Sequence, residues 1–291
     1  MYLAPRDFLS HLFQVAVDAA DPMQSIAPVL PPRPKGRLFV IGAGKASARM
    51  AEAVEEHYGP CKGLVITRYG YERATQGIEI VQAGHPIPDQ AGIDATRRMM
   101  HMVRDLNVDD LVIALISGGG SSLLCSPVDG VSLQDKIDIT AQLLASGAPI
   151  ADINTVRRQL SLVKGGKLAA ACAPAEVVNI LISDVPGDEP ALIASGPTIP
   201  NNLNNEDVLN VVRKWKISLP LHIRRIIKNA EPANTNDLNV KTYIVAAPAK
   251  SLKAAAMAAD SCRVQILGDA IEGEARDVAR QHVAIALEIQ A

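Results

Sequence analysis

Residues 111–122 read Leu-Val-Ile-Ala-Leu-Ile-Ser-Gly-Gly-Gly-Ser-Ser. Six continuous apolar residues suit a strand covered on both faces, as in a parallel sheet. Three glycines follow at once, and the chain then resumes with the apolar pair Leu123-Leu124. A flexible linker is a poor reading of a Gly-Ser run held between a buried strand and an apolar pair. Ser117, Gly118, Gly119, Gly120, Ser121 and Ser122 instead expose a row of N–H groups, a nest able to hold phosphate oxygens.

Working outward, short apolar runs alternate with helical spacing. Strands are expected at 38–41, 64–67, 78–81, 111–116 and 177–182. Helices are expected at 5–20, 46–57, 91–106, 133–145, 153–162, 167–173, 207–215 and 221–228. Residues 28–36 hold too many prolines for one element and connect the first helix to the first strand. Such alternation predicts an α/β fold, a three-layer α/β/α arrangement around a mainly parallel, Rossmann-like sheet. Residues 1–230 form the main lobe of this reading and 231–240 a polar linker. Residues 241–291 read as β-α-β-α, with strands at 243–246 and 264–267.

The 291 residues carry 29 basic against 31 acidic side chains, a net charge of −2, and only 3% aromatics. That balance argues against nucleic acid as a partner, since neither a basic face nor a stacking surface is present. Cys61, Cys125, Cys172 and Cys262 lie far apart with no zinc-ligand spacing, so reduced thiols in a cytoplasmic protein are expected. The N-terminus lacks the basic and apolar regions of a signal peptide. No apolar run approaches the roughly 20 residues that span a bilayer.

Ligands of open parallel sheets bind where loops leave the carboxyl ends of strands, and two further loops there have unusual composition. Gly42-Ala43-Gly44-Lys45 follows the first strand and opens a helix, so tight turning, a helix N-terminus and a positive charge coincide. It resembles a dinucleotide fingerprint, and Arg68 at the next strand end would suit the 2′-phosphate of NADP; the expected ribose-binding acid is absent. Residues 183–189, Ser-Asp-Val-Pro-Gly-Asp-Glu, put Asp184 and Asp188 at a strand end, where carboxylates hold Mg²⁺ or accept a hydroxyl proton. His85 sits in a rigid Gly-His-Pro turn. Arg157, Lys164 and Lys167 lie in 154–167 (NTVRRQLSLVKGGK), a stretch able to bind a carboxylate or phosphate.

Seven ordered motifs together resemble the glycerate 2-kinases, a family once often labelled hydroxypyruvate reductases. They are AVDAADP (16–22), VIGAGKAS (40–47), GHPIPDQAG (84–92), LISGGGSSLL (115–124), NTVRRQLSLVKGGKLA (154–169), ISDVPGD (182–188) and ASGPT (194–198). The resemblance implies transfer of the ATP γ-phosphoryl group to the 2-hydroxyl of D-glycerate with Mg²⁺. On it, Gly42, Gly44 and the Ser117–Ser122 run hold nucleotide, and Lys45, Asp184 and Asp188 do the chemistry. Asp184 and Asp188 are also the metal ligands, and His85, Arg157, Lys164 and Lys167 hold substrate. Family members usually continue for another hundred or so residues, so a second, C-terminal lobe is expected to be missing or only begun. An NADPH-dependent reductase and an inactive nucleotide-binding fragment are the alternatives, and a homodimer is left open.

Overall fold

Six strands form in chain order: β1 (Leu38–Ala43), β2 (Lys62–Arg68), β3 (Ile78–Ala83), β4 (Leu111–Ile116), β5 (Glu176–Ile182) and β6 (Val240–Ala246). The computed structural model describes residues 4–201, 204–231, 234–235, 238–260 and 262–290. All six strands join one parallel sheet in the order β3-β2-β1-β4-β5-β6. The helices among the described residues are α1 (Pro5–Asp18), α2 (Pro22–Ser25), α3 (Ser47–Tyr58), α4 (Gln90–Met102), α5 (Gly120–Leu123) and α6 (Leu133–Ala145). They continue with α7 (Ile150–Gln159), α8 (Lys167–Cys172), α9 (Asn205–Lys214), α10 (Leu221–Asn229), α11 (Pro248–Ala258) and α12 (Ala275–Gln290).

Alternation along β4 explains why every one of its residues is apolar. Leu111, Ile113 and Leu115 pack with Val40, Met50 and Val54 on the α3 face. Val112 and Ala114 pack with Phe39, Ile41, Met99 and Leu168 on the face covered by α4 and α8. Two apolar layers over one sheet give the three-layer arrangement expected from the sequence. At the amino ends of β1 and β4, buried Asp110 accepts the backbone N–H groups of Arg37 and Asn107 at 2.6 and 2.9 Å. It also receives the Arg37 guanidinium at 2.6 Å.

A third apolar cluster lies off the sheet. Ile139, Leu143, Ile153, Val156, Val208, Val212, Ile223 and Ile227 bring α6, α7, α9 and α10 together as a helical cap. Reciprocal capping boxes at Ser132/Asp135 and Asn204/Asp207 start α6 and α9.

The strand order reverses direction between β1 and β4, which opens a crevice at their carboxyl ends. Ala43 lies opposite Ile116 in the register, so the loops after β1 and β4 leave the sheet at one level. Ile116 in turn faces Leu181 of β5, which brings the third loop alongside.

One expectation fails in the C-terminal segment. Residues 264–267 form no strand: the chain is irregular there, and Val264, Ile266 and Leu267 are exposed with no strand beside them among the described residues. An apolar run without a neighbouring edge cannot satisfy its backbone as a sheet does. Among its described residues the segment contributes one strand, β6, and β6 extends the main sheet beside β5.

Candidate functional site

The loop after β1 is sealed onto the loop after β4. Lys45 N–H donates to the Gly118 carbonyl at 2.8 Å, and Ala46 N–H donates to Ser117 Oγ at 3.1 Å. The same Ser117 hydroxyl lies 3.1 Å from Ser47 Oγ. A Cβ on Gly44 would sit 2.0 Å from Ser117 Oγ, and one on Gly42 would sit 2.3 Å from the Leu115 carbonyl. These glycines, expected to face nucleotide, instead permit close contact with β4 and its loop. The Lys45 and Ala46 N–H groups that a dinucleotide pyrophosphate would need at the start of α3 are already occupied.

Lys45 extends from this seal across the second loop. Its Nζ lies 3.4 Å from Asp184 Oδ2, and both side chains are about half exposed, at 42% and 51%. Gly118 and Gly119 form the floor beneath them. A Cβ on Gly118 would fall 1.9 Å from Asp184 Oδ2, and one on Gly119 would fall 2.8 Å from the His85 ring and 3.2 Å from Lys45 Cγ. Gly119 has φ +84°, which favours glycine independently. Among the described residues, neither Gly118 nor Gly119 N–H donates to a protein acceptor. Two backbone N–H groups without a protein acceptor, an ammonium and a carboxylate thus lie close together in the crevice. Burial, with Lys45 and Arg68 adding to it, holds the His85 pKa below its ordinary value, so its imidazole is neutral near pH 7.

The end of the second loop is anchored from below. Ser121 Oγ meets Ser195 Oγ at 2.9 Å, and Ser195 Oγ donates to buried Asn154 Oδ1 at 2.8 Å. Ala194 and Ser195 have φ +52° and +66°, conformations that cost of order 1–3 kcal/mol each and persist where surroundings enforce them. Here Arg158 donates to the Ser195 and Ala191 carbonyls, while Gly165 and Gly166 N–H groups donate to Ser195 and Gly196. The 154–167 stretch is thus chiefly a brace for 191–196. Ser195 itself was missed as a site residue by sequence reading; the ASGPT motif was its only signal.

The three cations expected to hold substrate differ in their partners, with Lys164 between the other two. Lys164 is fully buried and donates to the Ser121 and Leu124 carbonyls at 2.7 and 3.2 Å. Arg157 reaches the same cavity as Lys164. Lys167 donates to the Arg158 and Ser161 carbonyls at 3.0 and 2.6 Å and lines an outer groove that Lys164 also reaches. Its length is spent closing the end of α7, and burial lowers its pKa to about 8.

Asp188 shares its loop with Asp184 and has φ +52°. Its Oδ1 is buried without a hydrogen-bond partner. A buried orphan carboxylate oxygen is what a cation would satisfy, so Asp188, with Asp184 on the same loop, would suit a Mg²⁺, which needs only one or two protein carboxylates. Among the described residues, no group of three or more His, Cys, Asp or Glu is placed to hold a metal by itself. No helix among the described residues is long and apolar enough to cross a membrane.

Residues 8–228 match a domain family, DUF4147, described as of unknown function. The D-glycerate 2-kinase of Thermotoga maritima is 38% identical over 280 residues, covering 94% of this chain and 67% of that protein. The chain belongs to the glycerate 2-kinase family. A crystal structure of the Thermotoga maritima glycerate kinase superimposes on the family fold seen here with a TM-score of 0.80 at 38% identity, covering 88% of this chain and 62% of that one. A protein of Agrobacterium vitis with a provisional hydroxypyruvate reductase name is 45% identical over 98% of this chain and 66% of its own length. The chain thus spans about two thirds of the length of these curated family members.

Proposed function

We propose that this chain carries the phosphoryl-transfer site of an ATP-dependent D-glycerate 2-kinase. The observation that supports it best is the convergence of Lys45, Asp184 and the free N–H groups of Gly118 and Gly119 at the strand-order reversal.

Phosphoryl transfer needs positioning and charge neutralisation rather than a covalent intermediate. In this reading the Gly118 and Gly119 N–H groups hold ATP phosphate oxygens, and the Lys45 ammonium follows the charge that moves onto them. Asp184 takes the proton of the substrate 2-hydroxyl as its oxygen bonds to the γ-phosphorus and the bond to ADP breaks. Mg²⁺ held by Asp184 and Asp188 would neutralise phosphate charge. Neutral His85 offers the transferring group a hydrogen bond without adding repulsion at Lys45.

ADP release that depends on D-glycerate tests the reading. Lys45→Ala should lower it by ~10²-fold or more while shifting stability by less than about 1 kcal/mol, because the half-exposed pair with Asp184 contributes little. Unchanged turnover in that variant removes Lys45 from the mechanism.

The reductase reading draws on the strand order, which is that of dinucleotide-binding folds. Against it stand the occupied N–H groups at the start of α3 and the stacking of Arg68 on Tyr71, 3.6 Å from the ring centre. NADPH should therefore not be oxidised with hydroxypyruvate; measurable oxidation would reinstate that reading.

A further inference from the structure

The sheet order lays the polar groups of the crevice out along one edge. From β3 to β5 the carboxyl ends carry His85, Arg68, Lys45, the Gly118–Gly119 floor and Asp184 in turn. Ile66, Ala43 and Ile116 stand at one level of the register, and Arg68, Lys45 and Gly118 each follow two residues later. Three steps between neighbouring strands separate β2 from β5, roughly 14 Å, a span that a polyphosphate laid across the strands can bridge. Within this row Arg68 is a cation to which the protein supplies no counter-charge: no carboxylate pairs with it among the described residues.

Arg68 ends β2 half-buried, and its Nε is buried with no hydrogen-bond acceptor. Its Cζ lies 3.6 Å from the centre of the Tyr71 ring. That stack covers one face of the guanidinium and fixes the plane of its N–H fork. A positioned guanidinium with an orphaned donor lacks an anion. The charges acting on His85 are Lys45 and Arg68 against Asp184 alone, so cations outnumber acids at this point of the crevice. A 2′-phosphate is the wrong anion. A dinucleotide that brought one here would lay its pyrophosphate on the α3 N–H groups, which are occupied.

We propose that Arg68 binds the β-phosphate of the nucleotide and receives the charge that arrives there as ADP departs. The assignment rests on the kinase reading, and its direction comes from the order of the row. Asp184 takes the proton of the acceptor hydroxyl on the β5 side, so the acceptor oxygen bonds to the γ-phosphorus from that side. In an in-line displacement the breaking P–O bond points the opposite way, toward β1 and β2, and its electron pair goes to a β-phosphate oxygen. Lys45, beyond β1, then faces the group in transfer. Arg68, one strand further, faces the group that leaves. Its fork suits two oxygens of one phosphate, where a lysine would act as a point charge. Tyr71 positions that fork, and Arg68 lies outside all seven sequence motifs.

Calorimetric titration with ADP and with AMP, both with Mg²⁺, tests the contact without turnover. The wild-type chain should bind ADP more tightly than AMP. Arg68→Met should weaken ADP by ~10-fold or more, from loss of a charge-assisted bond, and leave AMP unchanged. Arg68→Lys should recover part of the preference, and Tyr71→Ala, which frees the fork, should lose part of it. If Arg68→Met does not fold, those two variants decide: a reduced preference in both sustains the contact, and a full preference in both overturns it. Where turnover is measured, Arg68→Met should lower kcat by ~10²-fold and leave KM for D-glycerate unchanged. An ADP preference that depends on Arg68, without ADP release from ATP and D-glycerate, sustains the phosphate contact and removes the kinase reading. Turnover with the preference intact in Arg68→Met removes the contact and sustains the kinase. Equal weakening of ADP and AMP overturns the β-phosphate assignment, as does a preference for NADP⁺ over NAD⁺ that depends on Arg68. A wild-type chain that binds no ADP overturns both readings.

Discussion

Gly118→Ala separates the fold from the chemistry more cleanly than any other single change. The added methyl would sit 1.9 Å from Asp184 Oδ2, 2.5 Å from its Cγ and 2.9 Å from its Oδ1, so the nearest obstructions are all atoms of that one carboxyl group. Gly118 lacks the positive φ of Gly119, so alanine meets no left-handed backbone penalty there. Asp184 is half exposed and can swing toward solvent. Losing its pair with Lys45 costs ~0.2–1 kcal/mol, and replacing glycine by alanine returns ~0.4–1 kcal/mol through the unfolded chain. The two nearly cancel, so the melting temperature should move by no more than about 2–4 °C. Activity should not survive as well. The carboxylate must retreat by more than 1 Å to reach ordinary contact at 3.4 Å, and misplacement on that scale costs ~10²-fold. Paired assays of ADP release and thermal denaturation check this. Full activity at an unchanged melting temperature would refute the role given to Asp184, and loss of the fold would refute the claim that only its side chain stands in the way.

Two further outcomes concern the supports of the site. Asn154→Ala removes the acceptor of the Ser195 hydroxyl and should cost about 1–3 kcal/mol, with a raised KM for ATP through the Ser121 link; denaturant unfolding and initial rates measure both, and a change in neither counts against the anchor. Asp110 is held down to about 2 by the Arg37 guanidinium, then by the Arg37 and Asn107 N–H groups. Because its pKa is depressed on folding, it adds stability above about pH 4 that is lost as pH falls toward 2, of order 1–2 kcal/mol. Acid unfolding of Asp110→Asn should be flatter across that window than that of the parent chain, and identical profiles would exclude the linkage.

Much of the fold could be read from the sequence because parallel strands declare themselves. Six apolar residues in β4 have no polar face to lose, and the loops at 42–45, 117–122 and 183–189 interrupt apolar runs where a linker makes no sense. Strand order was not legible, since it depends on which apolar faces meet across the sheet and not on any local pattern. For the same reason Gly42 and Gly44 looked like a nucleotide cradle: a glycine needed to approach β4 and one needed to approach a phosphate are identical in sequence. Residues 264–267 had the apolar content of a strand but lacked a neighbouring edge. The burial of Lys136 was hidden because a lysine on the stripe of Ile139 and Leu143 reads as a break in the apolar pattern.

Phosphorus NMR of the chain with ATP, Mg²⁺ and D-glycerate is the most direct test of the kinase assignment. The account predicts that the γ-phosphate signal declines while ADP and a phosphomonoester of the 2-hydroxyl grow in equal amounts. ATP signals that stay unshifted by the protein and decline no faster with D-glycerate than without it would contradict the account.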